Sequence, residues 1–414
     1  MAWANEIAAE LEIDTILSGG IRHFRNQLRL SMQMVRAAHK QCLWSDRFDA
    51  ELDNSFDAQA ELAQKITDAL PDCRIHCMKA RQHVPSANSG LAYHACSMGF
   101  HSWNQREAEE LRKAMSYFDD AIELDPKYAE AYAGIADSYI SLSYQHLMPA
   151  QQAARRAWEA AQTAFTLNRH SIKINNAYIN SLIHCTWNLE AAEKHCREVI
   201  DAGKLDARAI QLYSSVMILR NRHQDSIRLA LRACELASDP DQIHLSGQVS
   251  LAYFYSGDYS NAASVIRRTV DRQPQHMMGY VLLGQAEAQL GNWDEAISAY
   301  TRGLQISGSS LFNKALLASA YAGSGELSRA HAILNKLGAK KDKGSFPSYG
   351  VPAAYAALDR EHEALTDIHR AFDSRDMMTR YIRQDPRFSR LRGSPEFQRI
   401  SSLIDAGRAL PAAV

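Results

Sequence analysis

The chain has 414 residues, 46% of them hydrophobic, so it is long enough to bury a large core in one or several domains. Its 46 Lys and Arg residues against 47 Asp and Glu residues give a net charge of -1, which provides no long-range attraction for nucleic acid or for acidic membranes. The seven cysteines lack the regular spacing of a disulfide framework, which is typical of a reducing compartment.

Two further features of the sequence bear on location. Apolar stretches without charge, such as residues 249–256, are too short to span a bilayer. Residues 1–14 contain acidic side chains where a signal peptide needs basic ones. The sequence therefore predicts a cytoplasmic protein with no membrane partner and no direct contact with nucleic acid.

Strand and helix patterns mix in residues 1–70, which predicts a small α/β segment. Leu28, Leu30, Met32 and Met34 alternate with polar residues, as one face of a strand does. The predicted elements are a helix at 3–11, a segment at 13–21 that ends at Gly19-Gly20, strands at 28–34 and 41–48, and a helix at 56–70. Residues 71–90, with prolines and small polar side chains, are predicted to be a linker.

A 34-residue repeat follows the linker and is most regular in the carboxy-terminal half. Gly257, Gly291 and Gly325 lie 34 residues apart, where one helix must turn into the next, because glycine adopts left-handed dihedrals at low cost. A small residue follows at a fixed offset, in the series Ala262, Ala296, Ala330 and Ala364. Small side chains at that position allow two helices to cross closely. One period therefore predicts one helix pair.

This pattern resembles the tetratricopeptide repeat, which has small residues at the helix crossing and a proline near the end of each unit. Earlier units are less regular, and the second carries about nine extra residues at 145–153, with Pro149 in the loop. We count about eight helix pairs over residues 91–378, followed by a cap and tail at 379–414. The resemblance implies an all-α superhelical solenoid of tetratricopeptide-type helix pairs, preceded by the partial α/β segment.

The cap is rich in arginine. Residues 381–397 are predicted to form two short helical starts, each with a proline near its first turn. The arginines either hold an acidic partner or form a solvated capping face, and the usual behaviour of exposed charge favours the capping face.

Nearly the whole chain resembles a larger arrangement. Segments at 10–19, 43–49 and 57–66 look like the end of the TolB-like α/β domain, and residues 103–139 and 385–392 look like the repeats that follow it. That arrangement forms the carboxy-terminal region of bacterial class III adenylate cyclases and winged-helix transcriptional regulators. The resemblance implies a protein that lacks their output domain and in which Met1 falls inside the α/β unit.

A shortened sheet has a physical consequence. Removing strands leaves an edge of unpaired backbone donors and acceptors. We therefore expect residues 13–48 to pair with a second copy of the chain, giving a homo-oligomer, or with the sheet of a partner.

Side chains capable of chemistry are present, but their spacing does not indicate a catalytic or metal site. The zinc-ligand types gather in one stretch, namely Cys73, His76, Cys77, His83, His94 and Cys96. Their irregular distances are not those of a zinc finger or ribbon. No serine nucleophile elbow and no phosphate-binding loop occurs either. The sequence predicts no enzyme, no metal and no cofactor.

The first helix of each pair lines a concave groove in this type of repeat, and residues one turn apart project into it together. Phasing by the glycine and alanine positions gives a partner-binding groove of seven residues: Asp137, Lys173, Asn176, Asn180, Phe254, Gln285 and Ser319. An amide-rich lining suits an extended peptide, because Asn side chains donate to and accept from a backbone at once.

These observations predict a non-catalytic scaffold or adaptor that binds a protein or peptide, in bacterial regulation or signalling. Two alternatives stay open. One is a transcriptional regulator acting with a partner DNA-binding subunit, and the other is a truncated, non-functional relative of a cyclase or regulator.

Overall fold

The structure, a computed structural model, describes most of the chain. The described ranges are 15–24, 27–36, 41–51, 87–105, 107–203, 206–237, 239–307, 310–341 and 349–405. The chain divides into two compact units, one comprising residues 1–98 with 119–128 and the other comprising residues 99–118 with 129–414.

Three strands in the first unit form an antiparallel sheet in the order β1–β2–β3. They are β1 at Thr15–Phe24, β2 at Gln27–Arg36 and β3 at Gln41–Glu51. The strand predicted from the alternation at 28–34 is confirmed as part of β2. Leu30 of β2 pairs with Phe48 of β3, whose side chain is buried and lies 6.2 Å from the ring of Trp44.

The prediction that the first segment ends at Gly19-Gly20 is wrong. The strand β1 continues through both glycines to Phe24, because Gly19 pairs with Met32 and Gly20 with Ser31 in an unbroken ladder. The predicted helices at 3–11 and 56–70 lie outside the described residues. The first described helix begins at Ala87, so the last residues of the predicted linker are helical.

The described helices that follow form eight consecutive pairs, each with a first and a second helix. The first helices are α1 (Ala87–Gln105), α3 (Ala129–Tyr144), α5 (Ile172–Ser181), α7 (Ala207–Leu219), α9 (Asp239–Ser256), α11 (Met277–Leu290), α13 (Leu311–Gly323) and α15 (Gly350–Ala357). The second helices are α2 (Ala108–Leu124), α4 (Ala150–Leu167), α6 (Leu189–Asp201), α8 (His223–Leu236), α10 (Tyr259–Arg272), α12 (Trp293–Ser307), α14 (Leu327–Lys341) and α16 (Glu361–Asp373). From α3 onward each first helix contacts the next first helix, which is how stacked repeats build one continuous face.

The repeat markers occupy the positions that the sequence predicts for them. Gly257, Gly291 and Gly325 have φ angles of 87°, 80° and 84°, a left-handed conformation that suits glycine. The four marker alanines, Ala262, Ala296, Ala330 and Ala364, are fully buried at the helix crossings. Asp359 continues the glycine series after another 34 residues and adopts the same conformation, with φ of 57°.

Two first helices end in unusual turns. After α3 the chain needs only residues 145–149 to reach α4, which begins at Ala150, directly after Pro149 and earlier than the sequence pattern indicates. After α5 the chain forms a π-helical turn at Leu182–Thr186. The turn ends at Trp187, whose φ of 59° is left-handed. A π-turn contains one more residue than an α-helical turn, and His184 lies within this one.

The end of the chain packs as a capping segment, residues 377–393, followed by α17 at Pro395–Asp405. The capping segment consists of two 3-10 helices, Met377–Tyr381 and Pro386–Gly393. Two of its fully buried side chains, Ile382 and Phe388, join Tyr349 and Ile368 of the last pair in one apolar core. The terminal repeat is therefore covered, as a solenoid end must be.

Candidate partner-binding surface

Four of the seven groove residues that the sequence predicts come together on neighbouring first helices. Asp137 of α3 lies at the centre and is buried. Its Oδ1 accepts a hydrogen bond of 2.8 Å from Asn180 Nδ2 of α5, and its Oδ2 accepts one of 2.7 Å from an Arg208 terminal nitrogen of α7. Three consecutive first helices are therefore linked through one carboxylate.

Asn176 makes a parallel link one turn earlier on α5. Its Nδ2 donates to Asp206 Oδ2 at 2.7 Å, and Asp206 caps the start of α7 by accepting from the Ala209 backbone N–H at 3.1 Å. Asn176 and Asn180 are both buried. Their amides are thus used to align α5 with its neighbours.

Two cations remain partly exposed on the same face, each beside an aromatic ring of α1. Lys173 Nζ lies 4.9 Å from the centroid of the Phe100 ring and 3.3 Å from a carboxylate oxygen of Glu130. The guanidinium carbon of Arg208 lies 4.6 Å from the centroid of the Trp103 ring. Aromatic faces and carboxylates both attract cations, so the two side chains are held in place on the surface.

The other three predicted groove residues lie elsewhere. Phe254 of α9 is buried, with its ring 5.3 Å from Tyr255 and 5.6 Å from Tyr259. Gln285 of α11 is buried within its repeat. The hydroxyl of Ser319 in α13 donates to the Ala353 carbonyl of α15 at 3.2 Å. These side chains contribute to packing between repeats and are not brought next to Lys173.

The capping segment crosses the ends of several first helices, a feature that sequence reasoning missed. Arg380 is buried and donates to the carbonyl of Ile183 and, at 2.5 Å, to Nδ1 of His184. Gln384 Nε2 donates to the Leu219 carbonyl at 3.0 Å. Carbonyls at the end of a helix lack intrahelical donors, so these long side chains satisfy them.

Aromatic contacts follow the same path. The rings of Tyr381 and Tyr255 stack at 5.2 Å, and Phe372 of α16 lies 5.9 Å from Trp187. The eighth pair and its cap are therefore packed against the third pair.

His184 is held neutral at this junction. Burial and then the positive charge of Arg380 lower the pKa of His184 well below its ordinary value. Because Arg380 has only donors, the Nδ1 of His184 must be unprotonated. The hydroxyl of Tyr144 lies 2.9 Å from the same Nδ1 and donates to it.

The prediction of a solvated capping face is wrong for two of the cap arginines, Arg380 and Arg387. Arg387 is buried beside Asp385, to whose Oδ1 its Nε donates at 2.9 Å, and Asp385 also accepts from the Tyr349 hydroxyl at 3.1 Å. A buried carboxylate needs such partners, so this pair fixes the cap internally. Arg390, which pairs with Asp359, is exposed as predicted.

The described residues offer little for catalysis. Burial raises the pKa of the Cys185 thiol and of the Cys196 thiol to about 12, which keeps both protonated and unreactive. No group of three or more His, Cys, Asp or Glu side chains within the described ranges could hold a metal ion. Of the predicted zinc-ligand types, only His94 and Cys96 fall inside those ranges, both on α1.

None of the helices in the described parts of the chain combines the length and the apolar character needed to cross a membrane.

Comparison with known proteins agrees with the helix-pair architecture. Residues 250–310 match the Tetratricopeptide repeat family. The putative adenylate cyclase 3 of Rhizobium meliloti (strain 1021) is 24% identical over 131 residues, which is 32% of this chain and 22% of that protein. The match thus spans about a fifth of that relative's length.

One of the solved structures that the chain resembles shows the same fold at low sequence identity. The human IFIT1 dimer with m7Gppp-AAAA aligns with a TM-score of 0.54 and 14% identity, covering 85% of this chain and 78% of that chain. A tetratricopeptide repeat protein from Parabacteroides merdae ATCC 43184 aligns with a TM-score of 0.43 and 12% identity over 66% of this chain and 99% of that chain. The chain is therefore an all-α superhelical solenoid of tetratricopeptide-type helix pairs, preceded in sequence by a small three-stranded sheet.

Proposed function

We propose that this chain is a non-catalytic adaptor whose first-helix face binds an extended segment of another protein. The observation that carries the proposal is the linkage of α3, α5 and α7 through Asp137, Asn180 and Arg208, with Lys173 left on the surface. A surface fixed in advance loses little conformational entropy when a partner binds. Tetratricopeptide solenoids commonly serve as protein-interaction scaffolds, which supports the same function.

The seven predicted groove residues have two roles in this proposal. Lys173 contacts the partner, because its side chain is 54% exposed. The buried ones, Asp137, Asn176 and Asn180, position the helices that present it, while Phe254, Gln285 and Ser319 maintain the stacking of later repeats. A cation beside an aromatic ring suits a segment that carries carboxylates or exposed backbone carbonyls.

A role in bacterial regulation or signalling is the finer part of the proposal. It is supported by the similarity to a protein named as a putative adenylate cyclase and by the resemblance of residues 1–70 to the TolB-like domain. The adaptor would then act on an effector in trans. Pairing of residues 13–48 with a second copy belongs to the same proposal, because the outer edges of β1 and β3 have no strand partner among the described residues.

The test is affinity capture of the tagged chain from bacterial lysate, with the Lys173→Glu variant beside the parent. Lys113→Glu is the matched control, because Lys113 is 51% exposed and also pairs with a glutamate, Glu110, but lies on the second helix α2. We expect a specific protein to be captured by the parent and the control and lost with Lys173→Glu. Light scattering on the eluted bait reports whether the chain forms an oligomer.

The identity of the captured protein decides between the functions. A cyclase or another signalling effector supports the regulatory role, whereas a DNA-binding protein favours the transcriptional alternative. Equal capture by all three chains contradicts the first-helix face as the binding surface. Capture of no specific protein by the parent contradicts the adaptor function and favours a non-functional relative.

A further inference from the structure

A second charged surface lies away from Lys173, where α6 meets the turn between α7 and α8. Its centre is Glu193 of α6, which is buried. Oε1 of Glu193 accepts from Arg197 and, at 3.1 Å, from Arg222, and Oε2 lies 2.8 Å from Arg220 Nε. One buried carboxylate therefore holds three guanidinium groups.

The cluster continues onto α8. Arg222 Nε donates to Asp225 Oδ2 at 2.7 Å, and an Arg228 terminal nitrogen donates to Asp225 Oδ1 at 2.6 Å. The arginine cluster, defined as Arg197, Arg220, Arg222 and Arg228 with their two acids, thus sets four guanidinium groups against two carboxylates. It has an excess of two positive charges in a chain whose net charge is only -1.

Internal packing accounts for only part of this arrangement. One arginine would satisfy Glu193, and each further guanidinium brought to it adds like-charge repulsion. The arginines are also accessible: Arg220 is 41% exposed, and its two terminal nitrogens have no hydrogen-bond partner among the described residues. Arg197 is oriented by donating its Nε to the Tyr213 hydroxyl at 3.1 Å.

The chemistry of the cluster suits a doubly charged anion. A guanidinium presents planar, paired donors that fit a phosphate or a carboxylate, and such hydrogen bonds are stronger when both groups are charged. Because Glu193 and Tyr213 already fix the side chains, little rotamer freedom remains to be lost on binding. A bound dianion would also relieve the repulsion among the guanidinium groups.

We propose that the arginine cluster is a binding site for a dianionic group on a partner protein, either a phosphorylated side chain or two adjacent carboxylates. The proposal rests on the proposed function as a protein adaptor and adds a second contact to it. The partner segment would carry its charged group at the α7–α8 turn.

The test is a fluorescence-anisotropy titration of the full-length chain with three labelled peptides that differ only at their centre. One carries phosphoserine at its centre, one carries an Asp-Glu pair there, and one carries unmodified Ser. We expect the phosphoserine or the Asp-Glu peptide to bind at least about tenfold more tightly than the Ser peptide. The tighter of the two identifies the source of the dianion.

Two variants locate the site. Arg220→Gln should weaken binding of the preferred peptide about tenfold by removing one of the four guanidinium groups. The control is Arg232→Gln on α8, because Arg232 is 54% exposed and pairs with Glu235 outside the cluster. Arg228→Gln, at an exposed position of the cluster, provides a second variant if Arg220→Gln fails to fold.

Equal binding of all three peptides overturns the proposal, as does equal weakening by the cluster variants and by Arg232→Gln. These titrations use synthetic peptides, so they do not depend on capture of a natural partner. Peptide binding at the cluster together with failure of the Lys173 experiment would reject the first-helix surface and retain the arginine cluster.

Discussion

Replacing Arg380 with alanine should loosen the contact between the capping segment and the third helix pair. The change leaves the Ile183 carbonyl buried without the Arg380 donor, while His184 Nδ1 keeps the Tyr144 hydroxyl, and one unsatisfied buried acceptor costs about 1–3 kcal/mol. Relief of the buried guanidinium charge offsets part of that cost. We therefore expect the free energy of unfolding to fall by about 1–3 kcal/mol.

The assay is urea unfolding followed by far-ultraviolet circular dichroism, combined with amide hydrogen exchange. Exchange should accelerate in two peptides, one covering residues 377–391 and the other covering residues 182–187, because the contact is shared. Arg390→Ala is the control within the capping segment, since Arg390 is 70% exposed and should contribute less than about 1 kcal/mol. If Arg380→Ala lowers stability no more than Arg390→Ala, Arg380 does not hold the cap in place.

Two further predictions concern pH and packing. The fold lowers the pKa of His184, so the stability that comes from its neutral ring is complete above the ordinary pKa of 6.5 and decreases as the pH falls below that value. The free energy of unfolding should therefore decrease less between pH 7.5 and pH 5.5 in His184→Gln than in the parent chain. Equal decreases in the two chains would contradict this. Gly284→Ala should lower the free energy of unfolding by about 1–3 kcal/mol, because the new Cβ would lie 2.7 Å from the Tyr300 ring. Gly338→Ala on α14 should raise it by about 0.5–1 kcal/mol, because its Cβ would meet no atom within 4 Å and Ala favours the helix. Thermal unfolding that ranks the two variants in the opposite order would refute the packing argument.

The repeat could be predicted from sequence because its signals are local. Gly257, Gly291 and Gly325 mark turns that require a left-handed residue, and glycine is the usual choice there. Asp359 and Trp187 adopt the same conformation without glycine, so composition does not reveal those turns. A left-handed non-glycine residue is set by surrounding contacts, which a single sequence does not display.

The surface was harder to predict than the fold. Asp137, Lys173, Asn176 and Asn180 lie on α3 and α5, which contact each other, and their role in binding a partner stays a prediction. Phasing could not show that Asp206 of the next repeat would accept from the Asn176 amide, or that Arg208 would donate to the Asp137 carboxylate. Contacts of the capping segment reach even further, since Arg380 meets a residue 196 positions earlier, and no periodic pattern encodes such a distance.

The contact between the capping segment and the third pair constrains how this chain can evolve. An open solenoid can gain or lose a whole repeat, because each unit touches only its neighbours. Here the helix pairs between Trp187 and Phe372 must stack so that the centroids of those two rings lie 5.9 Å apart. Insertion or deletion of one helix pair in that interval would move the cap away from Ile183, so the contact fixes the number of repeats between the third pair and the cap.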